Sequence, residues 1–282
     1  MSNIVEIKQL SFKYKGSGDF ALADVSLTFR EGEFVGIIGA SGAGKTTLLS
    51  SINGIVPHYN GGDFYGEASV CGVDTIDGGI TKLSEFVGNV LDDPEAQITA
   101  DTVEDETAFA LENAGYPPDV IEERITAALE ATGLTEFRLR DTRLLSGGQK
   151  QRTAIAAAIA AEPRVLLLDE ATAELDPLGS RKVFETLSRL NKTRKMTIVA
   201  VEQKIMLLSE FVSRLIVMSG GKVVMDGETR EILARHEELE ALGINCPRVV
   251  TLASKLKDKG LYSADYPKTA RECAEELRRI NQ

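Results

Sequence analysis

The chain has 282 residues, 43% of them hydrophobic, enough to bury a large core in one big domain or two modest ones, and this excludes intrinsic disorder. Its 32 basic and 43 acidic residues give a net charge of −11, which argues against a nucleic-acid surface but not against a phosphate ligand, which needs only a local positive site. No N-terminal stretch joins a basic start to an apolar segment, and the longest unbroken apolar run, Ala154 to Ala161, is too short to cross a bilayer, so a soluble, cytosolic chain is expected that meets a membrane only through partners.

Apolar and polar residues alternate over Ile4 to Ile7 and Ala23 to Phe29, which predicts strands of a small antiparallel layer. Phe34 to Ile38 is continuously apolar and reads as a buried strand, and Thr46 to Leu49 opens a helix. Val56-Pro57, Asn60-Gly61-Gly62 and Gly66 form a turn-rich patch, after which Glu67 to Cys71 resumes strand character. Between Pro94 and Pro163 helix formers displace β-branched runs, and helices are expected over Val103 to Glu112, Pro118 to Ala131 and Gln149 to Ala161. Val165 to Leu168, Thr197 to Val201 and Leu215 to Met218 are strand-like, with a helix over Leu178 to Leu190 and a closing hairpin over Lys222 to Met225.

The fold class is therefore α/β, a parallel sheet flanked by helices, with an N-terminal antiparallel layer, an inserted helical subdomain and a small helical C-terminal extension. The expected boundaries are 1–92 with 164–232 for the core, 93–163 for the insertion and 233–282 for the extension. In the extension Val249, Leu252, Ala253 and Leu256 form one apolar stripe. Ala270, Cys273, Ala274, Leu277 and Ile280 form another, behind a Thr269-x-x-Glu272 capping box. Either stripe can cover the chain's own core or pair with another subunit. Cys71, Cys246 and Cys273 are odd in number and widely spaced, as reduced thiols would be, and His58 and His236 have no neighbour that suggests zinc.

Three segments carry chemistry. Gly39-Ala40-Ser41-Gly42-Ala43-Gly44-Lys45-Thr46-Thr47 is a G-x-x-x-x-G-K-T phosphate loop between a strand and a helix. Its glycines let consecutive N–H groups face an anion, Lys45 reaches the outer phosphates, and the Thr46 hydroxyl suits Mg²⁺. Val165 to Leu168 ends in Asp169-Glu170. On a strand next to the loop strand, Asp169 would hold a metal-bound water and Glu170 would polarise the water that attacks a γ-phosphate. Leu145-Ser146-Gly147-Gly148-Gln149 leads into a helix and offers a second anion site. Two anion sites with one lysine-bearing loop make sense if each nucleotide is sandwiched between two chains.

Together these motifs resemble those of ATP-binding-cassette (ABC) ATPases, with Ser146 to Gln149 as the signature motif. The resemblance implies that Tyr14 stacks on adenine, that Asp176 in Leu175-Asp176 lies in the loop that speaks across a dimer, and that ATP and Mg²⁺ are the cofactors. Asn53 to Tyr59, Asp93 to Gln97 with Thr102 to Glu106, and the tail from Leu242 resemble the ATPase subunits of energy-coupling-factor importers of cobalt or vitamins. That resemblance implies a homodimer or heterodimer on the cytoplasmic face of the membrane, a transmembrane coupling subunit and a substrate-binding membrane subunit, with no nucleic acid. Two positions depart from the family. Asp92 stands where a glutamine contacts Mg²⁺ and the attacking water, and Gln203 stands where a histidine contacts the γ-phosphate. Asp92 adds a negative charge, and Gln203 cannot carry charge or shuttle a proton, so slow hydrolysis, even a regulatory subunit without useful turnover, and full hydrolysis resting on Glu170 alone are open alternatives. A soluble cassette acting on DNA or ribosomes would need a long coiled coil or a second cassette, and neither is present in the sequence.

Overall fold

The computed structural model of the chain describes residues 2–280. Among them the strands are, in chain order, Asn3–Tyr14 (β1), Leu22–Arg30 (β2), Phe34–Ile38 (β3), Gly62–Val70 (β4), Val73–Asp74 (β5), Val87–Val90 (β6), Val165–Asp169 (β7), Thr197–Val201 (β8), Arg214–Ser219 (β9) and Lys222–Glu228 (β10). They form a four-stranded antiparallel sheet, β2-β1-β4-β5, and a six-stranded sheet, β10-β9-β3-β8-β7-β6, parallel except for the β9–β10 hairpin at one edge. β3, β7 and β8 are buried at every position, the reason they read as continuous apolar runs.

Side chains alternate across the larger sheet and build two cores. Val35, Ile37, Leu167, Val199, Val201 and Ile216 face the antiparallel sheet and meet Phe12, Phe29, Leu48 and Ile52. Their neighbours Phe34, Ile38, Leu166, Leu168, Ile198 and Ala200 face the helices on the other side. One expectation fails here. β7 does not lie next to β3, because β8 is inserted between them, pairing Ile37 with Val201 on one edge and Asp169 with Val201 on the other.

The helices Val103–Asn113, Pro118–Thr132 and Gly147–Ala160 lie within a residue or two of expectation, and their end signals explain why. Thr102 caps the first, Pro118 opens the second, and Gly133, at φ +68°, ends it in the left-handed region. The buried Glu106 accepts hydrogen bonds from the Thr99 and Ala100 N–H groups at 2.8 and 2.9 Å, which pins the loop ahead of its own helix. The turn-rich patch proves to be partly strand: Gly62 begins β4, and Gly66 sits where β4 and β1 slip register. β6 and the helices Thr75–Leu83 and Ile205–Phe211 had no counterpart in the expected elements.

In the extension, Leu233, Leu239, Ile244 and Val250 join the core that holds Leu215, Val217 and Met225, so these residues cover their own chain. Lys268 ties the end of the tail down by donating to the Val212 carbonyl at 3.0 Å, and Arg230 ion-pairs with Glu272. The first stripe is rotated by a residue: Val250 and Ala253 are buried while Leu252 is exposed. In the second, Cys273 is buried but Ala270 and Ala274 are exposed, and the capping box is half formed: Thr269 accepts from the Glu272 N–H, while the Glu272 carboxylate accepts from the Lys268 N–H rather than that of Thr269; the side chain of Ile280 lies outside the described residues. Leu239→Ala should therefore cost about 3 kcal/mol of global stability, whereas Leu252→Ala should stay within about 0.5 kcal/mol. Urea unfolding measures both, and equal midpoints for the two variants would show that the tail is outside the cooperative core.

Candidate functional site

The helix Lys45–Ile52 starts without a side-chain cap, so the first-turn N–H groups that a capped helix would satisfy internally face outward. Backbone packing dictates two of the glycines. A Cβ at Gly39 would lie 2.4 Å from the Met218 carbonyl oxygen, and one at Gly44, whose φ is +97°, would lie 2.5 Å from that of Ala21. Lys45 is buried, and its ammonium donates to the Gly39 and Ala40 carbonyls at 2.9 and 3.0 Å, which leaves one of its three donors for a phosphate oxygen. Ser41, Gly42 and Thr46 are exposed at the rim, and Ala43 is buried beneath. The Thr47 hydroxyl is 3.0 Å from that of Tyr14, whose ring meets Phe12 edge-on at 4.8 Å. Tyr14 thus stands at the first turn of the loop helix.

Asp169 ends β7, and the Thr46 hydroxyl lies close enough to its carboxylate to draw its pKa down. Burial outweighs this and raises its pKa, and the charges of Asp92 and Glu170 push the same way, against the Thr46 hydroxyl and Lys45. Three carboxylates thus bear on one place beside a single ammonium. Asp92 is held there from behind: Gln97 accepts from the Leu91 N–H at 2.8 Å and donates to the Asn89 carbonyl at 2.9 Å, strapping the loop to the end of β6. No group of three or more His, Cys, Asp or Glu side chains able to hold a metal by themselves occurs among the described residues. A hydroxyl beside carboxylates is nonetheless a hard-oxygen donor set that fits Mg²⁺, which keeps waters and phosphate oxygens among its ligands.

Glu170 has φ +48°, in the left-handed region that a non-glycine residue seldom occupies. Its N–H donates to the Val201 carbonyl at 2.9 Å, its carbonyl accepts from the Ala173 N–H at 2.9 Å, and Gln203 Nε2 donates to both carboxylate oxygens at 2.9 and 2.8 Å. Each contact comes from the exit of β8 or from the turn that follows β7, and together they hold the strained backbone.

The second helix start is built differently. Ser146 and Gln149 form a reciprocal capping box: Gln149 Oε1 accepts from the Ser146 N–H at 2.8 Å, and Ser146 Oγ accepts from the Gln149 N–H at 3.4 Å. The side-chain oxygen of Gln149 is therefore engaged within the chain. Glu174 and Leu175 lie across Gly147 and Gly148, and Asp176 caps the helix Pro177–Arg194 by accepting from the Gly179 N–H at 2.6 Å. Ser146, Gly148 and Asp176 line one cavity of about 500 Å³ together with Arg152 and Lys182.

The family profile described as ABC transporter matches residues 22–173, a segment running from β2 through the phosphate loop and signature to the turn after Glu170. The chain belongs to the ABC transporter family. As an ABC ATPase it binds ATP. It is 38% identical over 267 residues to EcfA1, an energy-coupling factor transporter ATP-binding protein of Caldanaerobacter subterraneus, covering 93% of this chain and 94% of that one. A provisionally assigned ABC transporter ATP-binding protein of Pyrococcus abyssi is 41% identical over 279 residues, 98% of this chain and the whole of the relative. Among solved structures, cbiO1 of Clostridium perfringens, part of the transporter complex cbiONQ, superposes with a TM-score of 0.75 at 30% identity over 90% of this chain and 100% of that one. MJ0796, a dimeric cassette solved in a post-hydrolysis state with ADP and phosphate, matches at a TM-score of 0.71 and 28% identity over 80% of this chain and 98% of that one.

One ionisable group at the ABC site escaped the sequence reading. Glu202, between Val201 and Gln203, is buried, and desolvation pushes its pKa from 4.5 up to about 7 despite hydrogen bonds from Thr172. An acid so raised keeps its proton in the fold at pH values where the unfolded chain has already lost it. Its contribution to stability is therefore greatest below pH 4.5, falls as pH rises from 4.5 to about 7, and is level above. Glu202→Gln should flatten that decline in a plot of unfolding midpoint against pH; parallel wild-type and variant curves would count against the raised value.

Proposed function

We propose that this chain is the ATP-hydrolysing subunit of an energy-coupling-factor type importer, which turns ATP into ADP and phosphate to drive uptake of a vitamin or metal ion. The observation that carries the reading is the pairing of Glu170 with Gln203 beside Asp169, on strands that leave the sheet next to the loop bearing Lys45. The likeness to EcfA1 and cbiO1 over nearly the whole chain supports the importer type. It supports a place at the cytoplasmic face of the membrane, beside a transmembrane coupling subunit and a substrate-binding subunit. No described helix is long and apolar enough to cross a membrane, so such attachment is a task for those partners.

In this reading Tyr14 stacks on the adenine, the loop Gly39 to Thr47 and Lys45 bind the phosphates, and Ser146 to Gly148 with Asp176 complete the site of a second subunit, identical or related. Thr46 and Asp169, with Asp92 in reach, would hold Mg²⁺, which supplies charge neutralisation of the triphosphate when bound. Glu170 orients water against the γ-phosphate, and Gln203 fixes the carboxylate and offers a neutral donor. The residues 93–163 form the arm that carries the signature, and the loop at Asp92 couples it to the nucleotide.

A second reading, a nucleotide-binding regulatory subunit with little turnover, is favoured by Asp92 and Gln203. One set of measurements separates the two. Glu170→Gln should retain Mg-ATP binding, lose at least about tenfold in hydrolysis, and elute as a dimer with Mg-ATP on size exclusion. A variant that binds ATP yet stays monomeric would count against the sandwiched dimer. Gln203→His should raise the hydrolysis rate of the assembled transporter, and wild type that hydrolyses no faster than Glu170→Gln would favour the regulatory reading.

A further inference from the structure

The residues that leave β8 grip a single neighbouring segment at several points. Gln203 holds the Glu170 carboxylate. Glu202, 4% exposed, accepts with one carboxylate oxygen from both the N–H and the hydroxyl of Thr172, at 3.1 and 2.8 Å. Lys204 donates through its ammonium to the Thr172 carbonyl at 2.6 Å, the Leu175 carbonyl at 3.2 Å and the Ser180 hydroxyl at 3.3 Å. Every polar group of Thr172 is thus bound by residues 202 and 204, one on each side of Gln203. The gripped segment has Glu170 at one end, and further along it Glu174 and Leu175 lie over Gly147 and Gly148 and Asp176 faces the same cavity as Ser146.

A buried carboxylate is a poor choice for stability alone. Desolvating it is costly, and an apolar side chain of similar volume could fill the space, as the fully buried Val201 does one residue earlier. What the carboxyl group adds is direction: two hydrogen bonds accepted by one oxygen from a single residue fix the distance between two strand exits. Lys204 places an ammonium on the far side of the same segment.

We infer that Glu202 and Lys204 are positioning residues, which lock the Glu170–Ser180 segment to the strand exit bearing Gln203, so that displacement of Leu175 and Asp176 against the signature helix reaches the Glu170 carboxylate. The inference rests on Glu170 being the carboxylate that orients water. A clamp of this kind acts on the rate of the chemical step and leaves ATP affinity, set at the phosphate loop, nearly untouched.

The test is steady-state Mg-ATP hydrolysis by the full chain, with Glu170→Gln as reference. Glu202→Met should lower kcat about tenfold while KM stays within about twofold, and Glu202→Gln, whose amide oxygen still accepts both Thr172 bonds, should recover most of the loss. An unchanged kcat in Glu202→Met, a loss in Glu202→Gln as large as in Glu202→Met, or a KM that rises in step with the fall in kcat would overturn the inference. If circular dichroism shows Glu202→Met unfolded, Thr172→Val and Lys204→Met each remove part of the same clamp and decide by the same criteria. Inactive Glu170→Gln beside fully active Glu202→Met defeats the clamp alone; fully active Glu170→Gln defeats the reading beneath it as well.

Discussion

Strand β8 is hydrogen-bonded to β3 on one edge and to β7 on the other, and the groups at the nucleotide site take their places from that pairing. Ile37, Val201 and Asp169 stand level across the three strands, so the next residues of each chain segment leave the sheet at its carboxyl edge side by side. The phosphate loop leaves from β3, Glu202 to Lys204 from β8, and Glu170 from β7. All three strands are buried on both faces, so a register slip by one residue would turn both apolar faces inside out. The sheet core thus guarantees the alignment of polar groups it does not itself contain.

The electrostatics of the site follow from that convergence. The charges of Asp92 and Glu170 act on Asp169 against that of Lys45, a surplus of negative charge that the proposed triphosphate would increase. The chain offsets part of it with neutral groups: the Thr46 hydroxyl, whose nearness draws the Asp169 pKa down, and the Gln203 amide, which donates to Glu170. Neutral groups of this sort localise charge without cancelling it, and a divalent cation is the natural counter-charge. The uncapped helix Lys45–Ile52 adds a fixed positive end that needs no ionisable group. In contrast, the signature helix satisfies two of its own backbone donors through Ser146 and Gln149, so fewer are left for an anion there.

Much of this was legible in the sequence because it is local. A phosphate loop is a pattern of glycines whose backbone needs are written in adjacent residues, and the buried strands announce themselves by unbroken Val, Ile and Leu. Strand order is not local: nothing in Val165 to Asp169 says whether β3 or β8 will lie beside it, and the expected adjacency failed for that reason. β6, four residues long with a glycine and an asparagine, carries too little apolar signal to be seen alone. The Ser146-x-x-Gln149 capping box is also local, but the same Ser-Gly-Gly-Gln pattern serves equally as an anion site, so the residues alone do not decide between the two. The partnership of Glu202 with Thr172, thirty residues apart, was beyond any reading of periodicity. The rotated stripe at Val250 shows the same limit, because the phase of a short helix is decided by the surface it lands on.

Gln203 stands where these constraints meet, donating to both oxygens of the Glu170 carboxylate. A neutral amide can donate to a carboxylate and to a phosphate oxygen, but it has no second charge state with which to follow the reaction. Its contribution is therefore geometric, and geometry is what the surrounding residues supply: Glu202 and Lys204 hold the facing segment, and the Glu170 backbone is kept in its left-handed conformation by bonds to Val201 and Ala173. Where a histidine could compensate for imprecise placement by changing its protonation, an amide at this position requires the carboxylate to be aimed already. In the proposed mechanism, the contacts at the β8 exit would supply by geometry what Gln203 cannot supply by changing its charge.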